Sequence, residues 1–192
     1  MLGGCVRDVL LGNKIVDIDF AINCKPEITK NILTENGFKV CVKGIKYGSI
    51  STLVNGRKFE ITSLRKDIET FGRFAKVEYT DSWEEDSLRR DFTINSLYLS
   101  IDGHIFDKHN GIKDIKEQRL LFIGNTEKRI KEDYLRILRF YRFMGIFKNP
   151  RYLNNDVKVA ENNIDKIKKN LSNNKIKNEL IKILNTPYFF NC

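Results

Sequence analysis

Two aspartates, Asp17 and Asp19, lie one residue apart in the apolar run "VDIDF". Successive side chains of a strand point to opposite faces, so the two carboxylates share a face and lie about 6 to 7 Å apart. Like charges at this distance repel unless a cation lies between them, and hard oxygen ligands suit Mg²⁺ or Mn²⁺. The pair is a candidate metal site, although exposure on an edge strand is the commoner explanation of such a pair taken alone.

Glu60 is the candidate third carboxylate. In "RKFEITSL" it alternates with Phe59 and Ile61, so it projects from the face opposite to those apolar side chains. It would join the aspartates if the two strands are neighbours. Three carboxylates around one or two Mg²⁺ ions are typical of in-line phosphoryl or nucleotidyl transfer.

Two segments could bind phosphate groups. Gly3-Gly4 precedes a predicted helix, where backbone amides can approach a phosphate closely, and Arg7 lies one turn into that helix. A plain turn is the commoner explanation of a glycine pair taken alone. In "RRDFTINSLYL", Arg90 and Asp91 could contact a triphosphate and a ribose, or could belong to a charged helix surface.

A third segment, "RIKEDYLRILRFYRF", could recognise a base. Asp133 and Arg136 are three residues apart, which predicts an acid and a guanidinium on one helical face, and Arg139 and Arg142 continue at the same interval. A fixed carboxylate and an arginine can hydrogen-bond the edge of a nucleobase. The alternative is an ordinary helical ion pair, which Glu132 and Arg136 could also form.

Strand and turn signals dominate the first half of the chain. Asn55-Gly56 joins two β-rich runs and predicts a tight hairpin, and a second hairpin is expected around Asp102-Gly103. The polar segment 66–81 predicts a loop, and 82–99 predicts a helix capped by Ser82. Beyond Gly124 the pattern is helical, with helices expected over 126–147, 156–171 and 174–184.

The composition limits the class of protein. Lys and Arg number 34 against 25 Asp and Glu, a formal charge of +9 that favours a polyanionic partner such as nucleic acid. No apolar run approaches the roughly 18 residues of a membrane-spanning helix. The four cysteines form no C-x-x-C pair, which favours a reducing compartment, cytoplasmic or organellar, and no secretory signal is visible.

Taken together, these motifs resemble the class II tRNA nucleotidyltransferase and bacterial poly(A) polymerase family, within the DNA polymerase β-like superfamily. "GGCVRD" followed by "DID" resembles the first family motif and "RRDFTIN" the second. "FDKHNGIKDI" resembles the connector from head to neck, and "EDYLRILRFYRF" the nucleotide-selecting helix. The resemblance implies an α+β fold, with a mixed-sheet head over residues 1–107 and an all-helical neck over 108–192. It also leads us to expect that the family's body and tail domains are absent.

The resemblance implies an enzyme that adds CCA, or part of it, to the 3′ end of tRNA from CTP and ATP without a template, using two Mg²⁺ ions. Asp17 and Asp19 would bind the metal, with Glu60 as the third carboxylate. The implied nucleotide-binding residues are Gly4, Arg7 and Arg90 for the triphosphate, Asp91 near the ribose, Asp133 and Arg136 for the base edge, and Arg139 and Arg142 in support.

Other readings stay open at this point. A poly(A) polymerase shares these motifs, and a catalytically silent module that binds RNA or nucleotide is the alternative from a different class. A partner chain could supply the body and tail, and the oligomeric state is undetermined. In the segment where the family usually shows Asp-Gly-Arg-His-Ala, this chain has Phe71 before Gly72-Arg73 and Phe74 after them. In relatives that loop is thought to help the switch from C to A addition.

Overall fold

The structure is a computed structural model that describes residues 1–15, 17–71 and 74–192. Strands and short helices alternate in the first half, and helices follow in the second. This α+β arrangement confirms the fold class predicted from the sequence.

A four-stranded mixed sheet positions the aspartates. Its strands are β1 (Ile18–Ile22), β2 (Val40–Cys41), β3 (Ser49–Val54) and β4 (Arg57–Ser63), in the order β1-β4-β3-β2. β1 pairs parallel with β4, and the other neighbours pair antiparallel. Helix α2 (Pro26–Glu35) connects β1 to β2. The predicted tight hairpin is confirmed: Asn55 and Gly56 join β3 to β4 with φ of 50° and 76°, the positive values that a two-residue turn of this type requires.

A two-stranded antiparallel sheet occupies most of the segment 66–81, which the sequence predicts to be a loop. β5 (Arg65–Phe71) and β6 (Phe74–Tyr79) pair antiparallel, so that prediction is wrong. Polar cross-strand pairs such as Lys66 with Glu78, whose Nζ and Oε2 are 3.1 Å apart, explain why hydrophobic alternation did not reveal the strands. Gly72 and Arg73, the centre of the altered family loop, lie outside the described residues.

The helix predicted over 82–99 is much shorter. α1 (Gly4–Leu10) and α3 (Trp83–Leu88) are both brief, and Ser82 caps α3 as predicted by accepting the N–H of Glu85. After Leu88 the chain forms a 3₁₀ turn and then a small hairpin of β7 (Tyr98–Leu99) and β8 (Ile105–Phe106), which confirms the second predicted turn.

The helical second half is more segmented than its pattern predicts. Asp133 is extended, with φ −152° and ψ 105°, and interrupts the helix expected over 126–147. The helix expected over 156–171 is interrupted near Asn163. The helices are α4 (Gly111–Lys116), α5 (Thr126–Glu132), α6 (Leu135–Met144), α7 (Asn154–Asn162), α8 (Ile164–Asn170) and α9 (Asn173–Leu184).

One hydrophobic core connects the two halves. It extends from Cys5 and Val6 in α1 through Phe92 and Phe140, which are fully buried, to Ile183 in α9. The core therefore crosses the predicted division between residues 1–107 and 108–192, and that division stays a prediction. In the part of the chain that the structure describes, no helix is both long enough and apolar enough to cross a bilayer. All four cysteines are free thiols.

Candidate functional site

The parallel pairing of β1 and β4 brings the predicted carboxylates together. Asp19 and Glu60 are register partners on neighbouring strands, so their side chains project from the same face of the sheet. Asp17 lies just before β1, two residues from Asp19. Glu60 is 43% exposed, and its Oε2 lies 3.6 Å from the Nζ of Lys58.

The electrostatics around Asp19 favour a bound cation. Burial first, and then the neighbouring charges of Glu60 and Asp17, raise the pKa of the Asp19 carboxyl above its ordinary value. Neither Asp17 nor Asp19 has a side-chain hydrogen bond or ion pair among the described residues. Over the same residues no group of three or more His, Cys, Asp or Glu side chains is already gathered closely enough to hold a metal. Carboxylate oxygens are nevertheless the ligand type that Mg²⁺ prefers, and Glu60 lies on the strand next to Asp19.

Two arginines lie beside the glycine pair. Gly3 has a φ of 64°, and a Cβ there would lie 3.4 Å from Nη1 of Arg90. Gly4 begins α1, and a Cβ there would lie 3.6 Å from Nη2 of Arg7. Arg7 is held from behind, because its guanidinium donates to Asp8 and to Oδ1 of Asn95.

Asp91 is a buried anchor. Only 7% exposed, it accepts the N–H of Phe92 and the side chains of Asn95 and Arg139, the last through Nε at 2.5 Å. Burial opposes its ionisation, but Arg139 and these hydrogen bonds outweigh burial and lower the pKa of Asp91 to about 2. Asp91 is therefore an ionised partner of Arg139, with its edge at the cleft described below.

The arrangement of Asp133 and Arg136 differs from the prediction. They do not share a helical face, because Asp133 lies between α5 and α6 and accepts the N–H of Leu135 through Oδ1. Arg136 instead donates to Glu132 at 2.8 Å and to the carbonyl of Arg129 at 2.7 Å. The ion pair between Glu132 and Arg136, offered as the alternative, is the one that forms.

Arg142 also has a carboxylate behind it. Its Nη1 lies 2.5 Å from Oε1 of Glu179, a buried side chain of α9. Burial, and then the neighbouring charge of Arg139, lower the pKa of Arg142 to about 10, so the guanidinium stays charged at neutral pH. The ring of Phe143 lies 4.3 Å from the Arg142 guanidinium carbon and 5.2 Å from that of Arg139.

A single cleft of about 480 Å³ collects all of the predicted site residues except Glu60. Its walls come from α1, the start of β1, the segment after α3, α6 and α9. It is lined by Leu2, Gly3, Gly4, Arg7, Asp17, Asp19, Arg89, Arg90, Asp91, Asn95, Asp133, Leu135, Arg136, Arg139, Arg142, Phe143 and Lys182. Cationic side chains outnumber the carboxylates, and the excess suits a polyanionic ligand such as a triphosphate.

Sequence reasoning missed two of the carboxylates that pair with the arginines, Asp86 and Glu179, and offered the third, Glu132, only as the alternative partner of Arg136. Asp86, Glu132 and Glu179 do not line the cleft, yet they hold arginines that do. For Asp86 and Glu132 a signal was present, because each precedes its arginine by four residues, the spacing at which helical side chains meet. Glu179 gave no such signal, since its arginine lies on another helix.

Comparison with known proteins identifies the family of the chain. The model of the poly A polymerase head domain family matches residues 1–121. Human CCA tRNA nucleotidyltransferase 1, mitochondrial, is 46% identical over 144 residues, which cover 74% of this chain and 33% of that protein. The CCA-adding enzyme of Streptococcus pyogenes serotype M2 is 43% identical over 144 residues, 74% of this chain and 35% of that protein. The chain thus spans about a third of the length of these relatives.

Solved structures extend the likeness to nearly the whole chain. The Bacillus stearothermophilus CCA-adding enzyme in complex with CTP superposes with a TM-score of 0.83 at 30% identity, over 97% of this chain and 44% of that one. A tRNA nucleotidyltransferase complexed with a primer tRNA and an incoming ATP analog gives a TM-score of 0.77 at 26% identity, over 99% of this chain and 54% of that one. The chain therefore belongs to the poly A polymerase head domain family, with CCA-adding enzymes among its relatives.

Proposed function

We propose that this chain adds C and A nucleotides, as CCA or part of it, to the 3′ end of tRNA from CTP and ATP without a template. The observation that supports this most strongly is the cleft itself, because Asp17 and Asp19 line it together with six arginines. The fold's likeness to enzymes solved with CTP, and with primer tRNA and an ATP analog, points to the same substrates.

The carboxylates are proposed to hold Mg²⁺. Asp17 and Asp19 would bind the ions, and Glu60, the register partner of Asp19, would support them from β4. When bound, Mg²⁺ would lower the pKa of the terminal ribose hydroxyl of the tRNA and neutralise charge on the departing pyrophosphate. The raised pKa of Asp19 and its lack of a partner among the described residues support this assignment.

The arginines are proposed to bind and orient the triphosphate. Arg7 and Arg90 lie beside the glycine pair at the start of α1, so phosphate oxygens could reach both guanidinium groups and the first N–H groups of α1. Asp91 would lie near the ribose and keep Arg139 in place. The carboxylates that pair with the arginines keep each guanidinium group in one orientation before the nucleotide binds.

Base selection is assigned to Asp133 and Arg136. Both line the cleft, although Arg136 is also held by Glu132. Oδ2 of Asp133 and the Nε–H of Arg136 have no hydrogen bond among the described residues, and these are an acceptor and a donor that a base edge could use. Specificity would then come from the hydrogen-bond pattern and from pocket shape.

The partner and the compartment are proposed more coarsely. A tRNA 3′ end is the proposed RNA, and a separate chain could supply the body and tail domains that the family resemblance leads us to expect in its relatives. The four free thiols favour a reducing compartment, cytoplasmic or organellar.

A primer-extension assay tests the proposal. Purified protein is incubated with Mg²⁺, with tRNA that lacks CCA and with one nucleoside triphosphate at a time. CTP should be incorporated on this tRNA, whereas ATP should be incorporated only where C has already been added. Asp17→Ala and Asp19→Ala should each abolish addition. Long runs of A from ATP alone would favour a poly(A) polymerase instead, and nucleotide binding without any addition would favour a silent binding module. Unchanged activity in both aspartate variants would refute the metal assignment.

A further inference from the structure

Among the described residues, Asp86 accepts more hydrogen bonds than any other carboxylate that the proposed chemistry does not use. Its Oδ1 accepts Nε and Nη2 of Arg89 at 3.0 and 2.8 Å, and the backbone N–H of Arg65 at 3.1 Å. Its Oδ2 accepts Nη2 of Arg90 at 3.0 Å and the hydroxyl of Tyr98 at 2.5 Å. One side chain of α3 therefore fixes both consecutive arginines.

Burial makes this arrangement tight. Asp86 is 1% exposed, and its two arginines are about 15% exposed at the side chain. Burial opposes ionisation, but Arg89 and Arg90 outweigh it and lower the pKa of Asp86 to about 2, so the carboxylate is fully ionised at neutral pH. Without that charge, the cations of Arg65, Arg89 and Arg90 would be left facing one another.

The geometry separates this residue from the cleft. Arg89 and Arg90 line the cleft, whereas the buried Asp86 pairs with both of them but does not line it. The hydroxyl of Tyr98 completes the support, since it also accepts Nε of Arg90 at 2.9 Å. Two of the six arginines that line the cleft are thus paired with a carboxylate that does not line it.

We propose that Asp86, assisted by the Tyr98 hydroxyl, is a positioning residue that holds Arg89 and Arg90 in place for the triphosphate of the incoming nucleotide. The inference rests on the proposed function, because it takes a nucleoside triphosphate as the ligand of the cleft. A guanidinium fixed before binding loses less rotational freedom when a phosphate arrives, so its hydrogen bonds contribute more to affinity. The role is independent of the base, and it predicts equal losses for CTP and ATP.

The experiment compares two buried aspartates. Asp86→Asn is matched by Asp114→Asn, since Asp114 is also 1% exposed and is held by an arginine, Arg119, with Nε at 2.8 Å, but lies away from the cleft. Calorimetry with Mg²⁺ measures binding of CTP, ATP and inorganic tripolyphosphate. Asp86→Asn should weaken all three at least about tenfold, the cost of one charge-assisted hydrogen bond, and leave the ratio of CTP to ATP affinity unchanged. Asp114→Asn should bind all three as the wild type does.

A milder variant tests the proposal even if Asp86→Asn does not fold. Tyr98→Phe removes only the hydroxyl and should weaken tripolyphosphate binding severalfold while keeping the ring packed against Trp83. If Asp86→Asn does not fold by circular dichroism, Tyr98→Phe decides the question. The proposal would be overturned if Asp86→Asn and Tyr98→Phe, where folded, bound tripolyphosphate as tightly as the wild type does. It would also be overturned if Asp114→Asn lost as much affinity as Asp86→Asn.

The outcomes also separate this inference from the proposed function. If the wild type extends tRNA and Asp86→Asn binds nucleotides normally, the positioning role alone is wrong. If Asp86→Asn weakens tripolyphosphate binding but the wild type adds no nucleotide to RNA, the positioning role stands and the proposed transfer reaction falls.

Discussion

Replacing Asp19 with asparagine should stabilise the protein when no divalent cation is present. The Asp19 side chain has no hydrogen bond or ion pair among the described residues, so the change breaks no contact there. It removes repulsion from Glu60 on the neighbouring strand, about 5 Å away by strand spacing. Because Glu60 is 43% exposed, an effective dielectric constant between about 40 and 80 applies, and the relief is about 1 to 2 kcal/mol. For a chain of this size the melting temperature should rise by about 2 to 8 °C.

The stability difference between Asp19→Asn and the wild type should also depend on pH. Burial and the neighbouring carboxylates raise the pKa of Asp19 above its ordinary value of 3.8. The folded protein therefore holds this proton more tightly than the unfolded chain, and the wild type loses stability as pH rises from 3.8 through the raised pKa. The advantage of Asp19→Asn should be complete at neutral pH and should vanish below the ordinary value.

Unfolding by heat and by urea, with EDTA and then with Mg²⁺, is the assay. Mg²⁺ should stabilise the wild type and have much less effect on Asp19→Asn. The stability advantage of Asp19→Asn over the wild type should therefore shrink or reverse when Mg²⁺ is added. Glu78→Gln is the control, because Glu78 is an exposed strand carboxylate that faces Lys66 rather than other acids, and it should gain nothing in EDTA. A loss of stability for Asp19→Asn in EDTA, or equal Mg²⁺ shifts in both proteins, would refute the reasoning.

Three further substitutions test the surrounding scaffold. Gly111→Ala should cost about 1 to 3 kcal/mol in urea unfolding, because a Cβ there would lie 2.4 Å from the backbone oxygen of Thr93; a neutral result would contradict that packing. Glu179→Gln should cost about 3 kcal/mol by the same measurement, since it leaves the charge of Arg142 buried without its partner; stability within error of the wild type would show that solvent compensates. Asp91 contributes stability above the ordinary carboxyl pKa of 3.8 that is lost as pH falls toward its pKa of about 2, so Asp91→Asn should flatten the acid limb of a stability–pH curve, and an unchanged limb would argue against the assignment.

Local signals in the sequence were enough to identify much of the head. Asn55-Gly56 requires positive φ at both positions, and Ser82 offers an oxygen to an exposed helix N–H, so the hairpin and the cap followed from chemistry within a few residues. The period of a strand also predicted that Asp17 and Asp19 share a face; β1 begins only at Ile18, and both side chains line the cleft. The fold class and the family followed from several such motifs in order.

The sequence by itself determined which residue types were available for phosphate, metal and base. Only the tertiary structure decided that β1 lies parallel beside β4, which sets Asp19 next to Glu60, and that Asp133 interrupts the helix instead of sharing a face with Arg136. It also decided which carboxylate holds each arginine, as Glu179 does for Arg142 from another helix. The physical reason is that turns and caps depend on near neighbours, whereas strand pairing and buried ion pairs depend on burial and on charges that are distant in the chain.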